Sequence, residues 1–88
     1  MSWNVSAVGK AGAVRANVAR QFKKLEEGTM LSPEKEAAVA VGQAVDLALS
    51  GCSGAVKVQC YGSGSFDSGK WVGQTISVSL EPIYGFVE

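Results

Sequence analysis

The residues from Ser32 to Ser50 form the most sharply delimited stretch of this 88-residue chain. Ser32 is a favourable N-cap, because its hydroxyl can accept a hydrogen bond from an amide of the first helical turn. Pro33 suits the first helical position, where a missing N–H costs nothing, and Gly51 is a natural left-handed stop. Ala, Val and Leu dominate between these residues, so we expect the helix to be buried around most of its circumference.

Two features inside this helix make further predictions. Glu34 and Glu36 place negative charge at the positive end of the helix dipole. Ala38 and Gly42 form a step of small residues that allows a second backbone to approach closely. The partner at this step is either the first helix of the same chain or the same helix of a second copy.

Hydrophobic periodicity predicts four more segments. Alternation of apolar and polar residues predicts strands at 3–7, 55–61 and 71–80, and in the third strand the inward side chains are Ile76, Val78 and Leu80. Apolar residues at spacings of four, four and three predict an amphipathic helix at 13–27, whose inward stripe is Val14, Val18, Phe22 and Leu25. The Gly- and Ser-rich stretch 62–70 is predicted to be a loose loop.

These segments occur in the order strand, helix, helix, strand, strand. They predict a single α+β domain covering residues 1–88, in which a helical hairpin lies on one face of a three-stranded antiparallel sheet. The helix-facing side chains are then apolar, whereas the opposite face is polar and almost uncharged. The residues of this polar face are Asn4, Ser6, Gln59, Thr75, Ser77 and Ser79.

Charge and composition argue against several classes of function. Eight basic residues balance eight acidic ones, which disfavours a nucleic-acid-binding protein or a membrane-surface protein, and a net charge near zero favours self-association. The chain contains no histidine, and Cys52 and Cys60 lack metal-ligand spacing. We therefore expect no enzymatic activity, no catalytic residue, no cofactor and no metal.

One stretch, Gly64 to Lys70, resembles the beginning of a phosphate-binding P-loop. The next residue should be Ser or Thr to hold magnesium, but it is Trp71. A P-loop also leads into a helix, whereas this stretch leads into a predicted strand. Both differences favour a hairpin connection over a nucleotide site.

Two surface features are candidates for interaction. The outer face of the first helix carries Arg15, Arg20, Lys23 and Lys24, which form either a solvated face or a docking patch for phosphate or an acidic protein. The C-terminal segment is unusually apolar and contains Ile83, Tyr84 and Phe86, so we expect it to pack on its own domain or on a neighbouring copy.

The first ten residues, MSWNVSAVGK, resemble the opening of small proteins encoded by tailed bacteriophages. The layout of VKV and ISVS strands joined by a Gly/Ser-rich hairpin is similar as well. This resemblance implies a minor virion component, such as a capsid decoration protein, or a small inhibitor of a host system. It transfers no functional residue.

The resemblance and the residues together predict a non-enzymatic protein that binds proteins. Its partners would be copies of itself in a homo-oligomer or other virion proteins, and its location would be the virion or the host cytoplasm. The first alternative is an inhibitor of a bacterial defence complex that uses the basic face of the first helix. The second is a small nucleic-acid-binding module, which the zero net charge disfavours.

Overall fold

The computed structural model of the protein describes residues 2–28 and 32–84, without the side chains of residues 32 and 71. Its five elements follow the predicted order: β1 (Ser2–Lys10), α1 (Ala11–Glu27), α2 (Ser32–Ser50), β2 (Ala55–Asp67) and β3 (Lys70–Ile83). The three strands form one antiparallel sheet in the order β1-β2-β3. The predicted α+β class and topology are confirmed.

The connection between β2 and β3 differs from the predicted loop. Both strands continue through the Gly/Ser-rich stretch, and only Ser68 and Gly69 connect them, with φ angles of 51° and 79°. Two consecutive positive φ values are typical of the tight turn whose twist matches that of the flanking strands. The prediction of a loose loop was wrong because the pairing of β2 with β3 continues through these glycine and serine residues.

A β-bulge lies just beyond this turn. The register of β2 and β3 shifts between Ser63 and Ser65, and Gly73 on the opposite strand has a φ of 61°. Glycine tolerates this left-handed conformation, which is the usual conformation of the first residue of such a bulge. Gly73 therefore marks the position at which the regular part of β3 begins.

The hydrophobic core lies between the sheet and α1, with α2 packed beside α1. The predicted inward stripe of α1 is confirmed, since Val14, Val18 and Phe22 are all buried. The Trp3 ring meets the Phe22 ring edge to face, with centroids 5.7 Å apart. The other buried apolar side chains are Val5, Ala11, Ala38, Val45, Leu49, Val56, Val58 and Cys60.

The small-residue step of α2 packs against α1 of the same chain. A Cβ atom added to Gly42 would lie 3.1 Å from Cγ of Phe22, so the glycine lets the aromatic ring approach the helix backbone. This contact decides between the two partners that the sequence left open.

The two helices cover the sheet unequally. α1 packs over β1 and β2, whereas α2 packs mainly on α1 and touches β3 only lightly. Ile76 and Val78 lie on the helix-facing side, as predicted, but their side chains remain 39% and 48% exposed. They stay half-exposed because α2 packs mainly on α1 and makes little contact with β3.

Glu34 lies in the first turn of α2, as predicted. The sequence did not predict that this residue is fully buried, and neither carboxyl oxygen has a hydrogen-bond partner among the described residues. It lies one turn before the buried Ala38 and thus on the inward face of α2.

Candidate interaction surface

An exposed groove with an almost entirely apolar lining lies where α2 fails to cover β3. This groove of about 360 Å³ runs between the two elements and is lined by Ala40, Val41, Ala44, Val45, Ala48, Val78 and Leu80. Ile76 continues the same row of β3 side chains. We call this groove, together with the outer edge of β3 from residue 74 to residue 80, the open edge.

The opposite edge of the sheet is partly closed by a side chain. Nε2 of Gln21 in α1 donates to the backbone oxygen of Ser6 at 2.8 Å, and the backbone N–H of Ser6 donates to Oε1 of Gln21 at 3.4 Å. Asn17 holds the amide in place by accepting from Nε2 at 2.7 Å. Gln21 thus bonds both backbone groups of one β1 residue, as a neighbouring strand would.

These bonds establish which backbone groups of the sheet point outward. Because Ser6 directs its backbone groups away from β2, its partner Gln59 directs its own groups toward β3, where it pairs with Ser79. The alternate residues Ile76, Val78 and Leu80 therefore direct their N–H and C=O groups to the outer edge of β3. The backbone nitrogen of Pro82 also faces the outer edge. Proline is tolerated at this position because it has no N–H to donate to β2.

The outer edge of β3 also lacks charge. Between Lys70 and Glu81 the sequence contains ten consecutive uncharged residues. Edge strands of monomeric proteins usually carry a lysine, another charged residue or a proline that prevents pairing with a second strand. In β3 such residues occur only at the ends.

A second groove, of about 470 Å³, lies between α1 and α2 and is bridged by an ion pair. Nε and Nη2 of Arg15 donate to the two carboxylate oxygens of Asp46 at 2.8 and 3.0 Å. These hydrogen bonds lower the pKa of Asp46 below its ordinary value and raise that of Arg15. The guanidinium of Arg15 is therefore paired with α2, unlike the other cations of the α1 face that the sequence proposed.

The lowered pKa of Asp46 predicts an acid-dependent loss of stability. The folded protein binds this proton more weakly than the unfolded chain does, so the pair stabilises the fold above the ordinary pKa of 3.8. That contribution is lost as the pH falls through the lower pKa of the folded state. Asp46→Asn should therefore be less stable than the parent protein at pH 7, and the difference should shrink toward about pH 2 in urea titrations.

Arg15→Gln serves as the matched variant, because it removes the same pair from the other side. It should show the same loss at pH 7 and the same convergence in acid. A difference from the parent protein that stays constant from neutral to acid pH would contradict this role for the pair.

The other residues proposed from the sequence are distributed over separate surfaces. Arg20, Lys23 and Lys24 are exposed on α1, and no ion pair engages them within residues 2–28 and 32–84. Ile83 is half-buried at the end of β3, and Tyr84 is 89% exposed. Phe86 lies outside the described residues, as does the rest of the segment 85–88.

The remaining chemical groups are dispersed. Burial raises the pKa of the Cys60 thiol, and the Cys52 thiol donates to the backbone oxygen of Ala48 at 3.3 Å. Across residues 2–28 and 32–84, no three His, Cys, Asp or Glu side chains are grouped as metal ligands. Neither helix, over its described residues, has the length and apolar character needed to cross a membrane.

Comparison of the chain with protein-family models, curated proteins and solved structures finds no match. The sequence predicted that Ile76, Val78 and Leu80 face the helices, but it did not show that α2 leaves this row partly exposed, so it missed the open edge. The available signal was the run of ten uncharged residues in the predicted strand 71–80.

Proposed function

We propose that this protein acts by binding other proteins through the open edge, without catalysis, as an accessory component of a tailed-phage virion. The observation that carries the proposal is the row of half-exposed apolar side chains beside an uncharged edge strand. Large exposed apolar patches on soluble proteins usually mark interaction sites. The resemblance of the chain to small phage proteins supplies the virion setting.

The geometry of the open edge favours a partner that contributes a strand. Three outward N–H groups and three outward C=O groups alternate along residues 76–80, and an added strand would bond them in sequence. Its side chains would enter the groove between Val78 and Ala44. A partner of this kind gains hydrogen bonds and apolar contact from the same surface.

The proposal is tested by co-sedimentation of the purified protein with purified particles of the phage that encodes it. The protein should sediment with the particles, and Val78→Lys should reduce the bound fraction at least tenfold because it places a charge in the contact. Val8→Lys is the matched control, since Val8 is 59% exposed on β1 and its side chain lies outside the open edge.

Absence of the parent protein from the pellet at all concentrations would refute the virion role. Equal binding by Val78→Lys and the parent protein would show that the particles contact another surface. Thermal melts of both variants confirm that they fold before binding is compared.

A second candidate function uses the exposed cations of α1. Arg20, Lys23 and Lys24 offer three charges without an ion pair in the described parts of the chain, which suits an acidic surface on a host protein. Changing all three to Glu should leave the melting temperature nearly unchanged, because exposed charges contribute little to stability. Loss of inhibition of a host complex in this variant, with particle binding intact, would favour the inhibitor function.

A further inference from the structure

We propose that the occupant of the open edge is a second copy of this chain, which pairs β3 with β3 to form a continuous six-stranded sheet. This inference rests on the proposed function, because it identifies the protein bound at the open edge as a second copy, so that the dimer is the form that associates with the particle. It also predicts the symmetry and the strand register of the dimer. Both follow from which residues of β3 direct their N–H and C=O groups outward.

Residues 71–80 of β3 carry no charge and no proline that would keep two copies apart. The ten uncharged residues before Glu81 supply no repulsion between two identical strands, and the net charge of the chain is zero. The other edge of the sheet differs, because Gln21 bonds Ser6 there. Of the two edges, β3 is therefore the one prepared for pairing.

The outer edge of β3 can also form an antiparallel pair with the same edge of a second copy. A two-fold axis perpendicular to the sheet pairs two β3 strands antiparallel and keeps all helices on the same face. Two residues that lie opposite each other across the axis must have their side chains on the same face of the sheet. Because side chains alternate along a strand, their residue numbers are both even or both odd, and the sum of the two numbers is even. Every such register places outward-pointing backbone groups opposite each other, as hydrogen-bonded pairs require.

The bulge and the proline select the register. Gly73 and Pro82 limit the regular edge to residues 74–80, whose centre is Ser77. Ser77 then lies opposite Ser77 of the second copy, and Ile76 lies opposite Val78. In the same arrangement, the two grooves adjoin across the axis, and their small side chains permit close approach of the two α2 helices. These side chains are Ala40, Ala44 and Ala48.

The size of the contact predicts its strength. Seven strand residues and the adjoining helix face give a footprint of roughly 500–600 Å² on each copy, at the lower end for specific interfaces. We therefore expect a reversible dimer with a dissociation constant of about 1–100 µM.

The first part of the test is sedimentation equilibrium of the purified full chain over a concentration series. The parent protein and Val8→Lys should dimerise, and Val78→Lys should weaken the dimer at least tenfold because the lysine is buried opposite Ile76. A parent protein that is monomeric up to about 500 µM overturns the proposal. Equal effects of the two lysine variants, or an unweakened Val78→Lys dimer, also overturn it.

The second part tests the register by cysteine cross-linking with oxidised glutathione in a Cys52→Ser background. Ser77→Cys should form a disulfide-linked dimer, because its Cα atoms are about 4.5 Å apart in a non-hydrogen-bonded pair. Thr75→Cys alone should not cross-link, but it should do so when mixed with Ser79→Cys. Efficient self-cross-linking of Thr75→Cys, or none by Ser77→Cys, overturns the proposal.

Deleting residues 85–88 distinguishes the open edge from the apolar C-terminal segment. The truncated chain should still dimerise, and loss of its dimer would overturn the proposal by assigning the contact to the C-terminal segment. Failure here is separable from failure of the proposed function. A monomer that binds particles through Val78 refutes only the dimer, whereas a dimer that binds no particles refutes only the virion role.

Discussion

Replacing Gly62 with alanine is expected to lower the free energy of unfolding by about 2–3 kcal/mol. An added Cβ would lie 2.5 Å from both Nε1 and Cζ2 of Trp3, which is far inside van der Waals contact. The Trp3 ring cannot simply move away, because it is buried and packs against Phe22. Urea denaturation of the variant measures this loss.

The control and a rescue variant make this prediction specific. Gly12→Ala, whose Cβ would meet no atom within 4 Å, should stabilise α1 by about 0.5–1 kcal/mol. Trp3→Leu removes the indole ring atoms that the added Cβ would meet, so Gly62→Ala should cost at least about 1 kcal/mol less in that background. Equal costs in the two backgrounds would show that the clash with Trp3 is not the cause.

Replacing Glu34 with methionine is expected to raise the free energy of unfolding by about 1–3 kcal/mol. The carboxyl group is fully buried, and both of its oxygens lack a hydrogen-bond partner among the described residues. Burying a polar group without hydrogen bonds is costly, and methionine fills a similar volume without that cost. Chemical denaturation at pH 7 compares the two proteins.

Glu36→Met is the matched control, because Glu36 is exposed on the same helix. Its effect should stay within about 0.5 kcal/mol of zero. Glu34→Gln should fall between the parent protein and Glu34→Met, since the amide removes the acidic group but keeps polar atoms. Destabilisation by Glu34→Met would contradict the prediction and would mean that the carboxyl group stabilises the fold.

Local patterns were sufficient to predict the elements of this fold. The α2 boundaries agree with the signals at Ser32, Pro33 and Gly51, because helix ends depend on neighbouring residues. The predicted left-handed conformation of Gly51 is wrong, since its φ is not positive and its N–H donates to the backbone oxygen of Ala48 at 3.3 Å, which closes a tighter last turn. Alternation likewise identified all three strands. The hairpin was mispredicted because a two-residue turn at Ser68 and Gly69 is distinguished from a longer loop only by the pairing of its flanking strands.

The candidate surface required knowledge of how the elements pack. Arg15 was predicted to lie on an exposed basic face, and only the position of α2 brings Asp46 within 2.8 Å of it. Val78 has the sequence pattern of a core residue, because apolar and polar residues alternate around it. Alternation shows which face of the sheet a side chain occupies, but it does not show whether another element covers that face.

The sequence by itself determined the class and order of the elements, the inward stripe of α1 and the uncharged character of β3. These properties depend on residues close together in the chain, where spacing translates directly into geometry. Only the tertiary structure decided that Gly42 meets Phe22, that Gln21 bonds the β1 edge and that Ile76 and Val78 remain half-exposed. The physical reason is that the exposure of β3 depends on where α2 packs, and α2 packs mainly on α1, which is remote from β3 in the sequence.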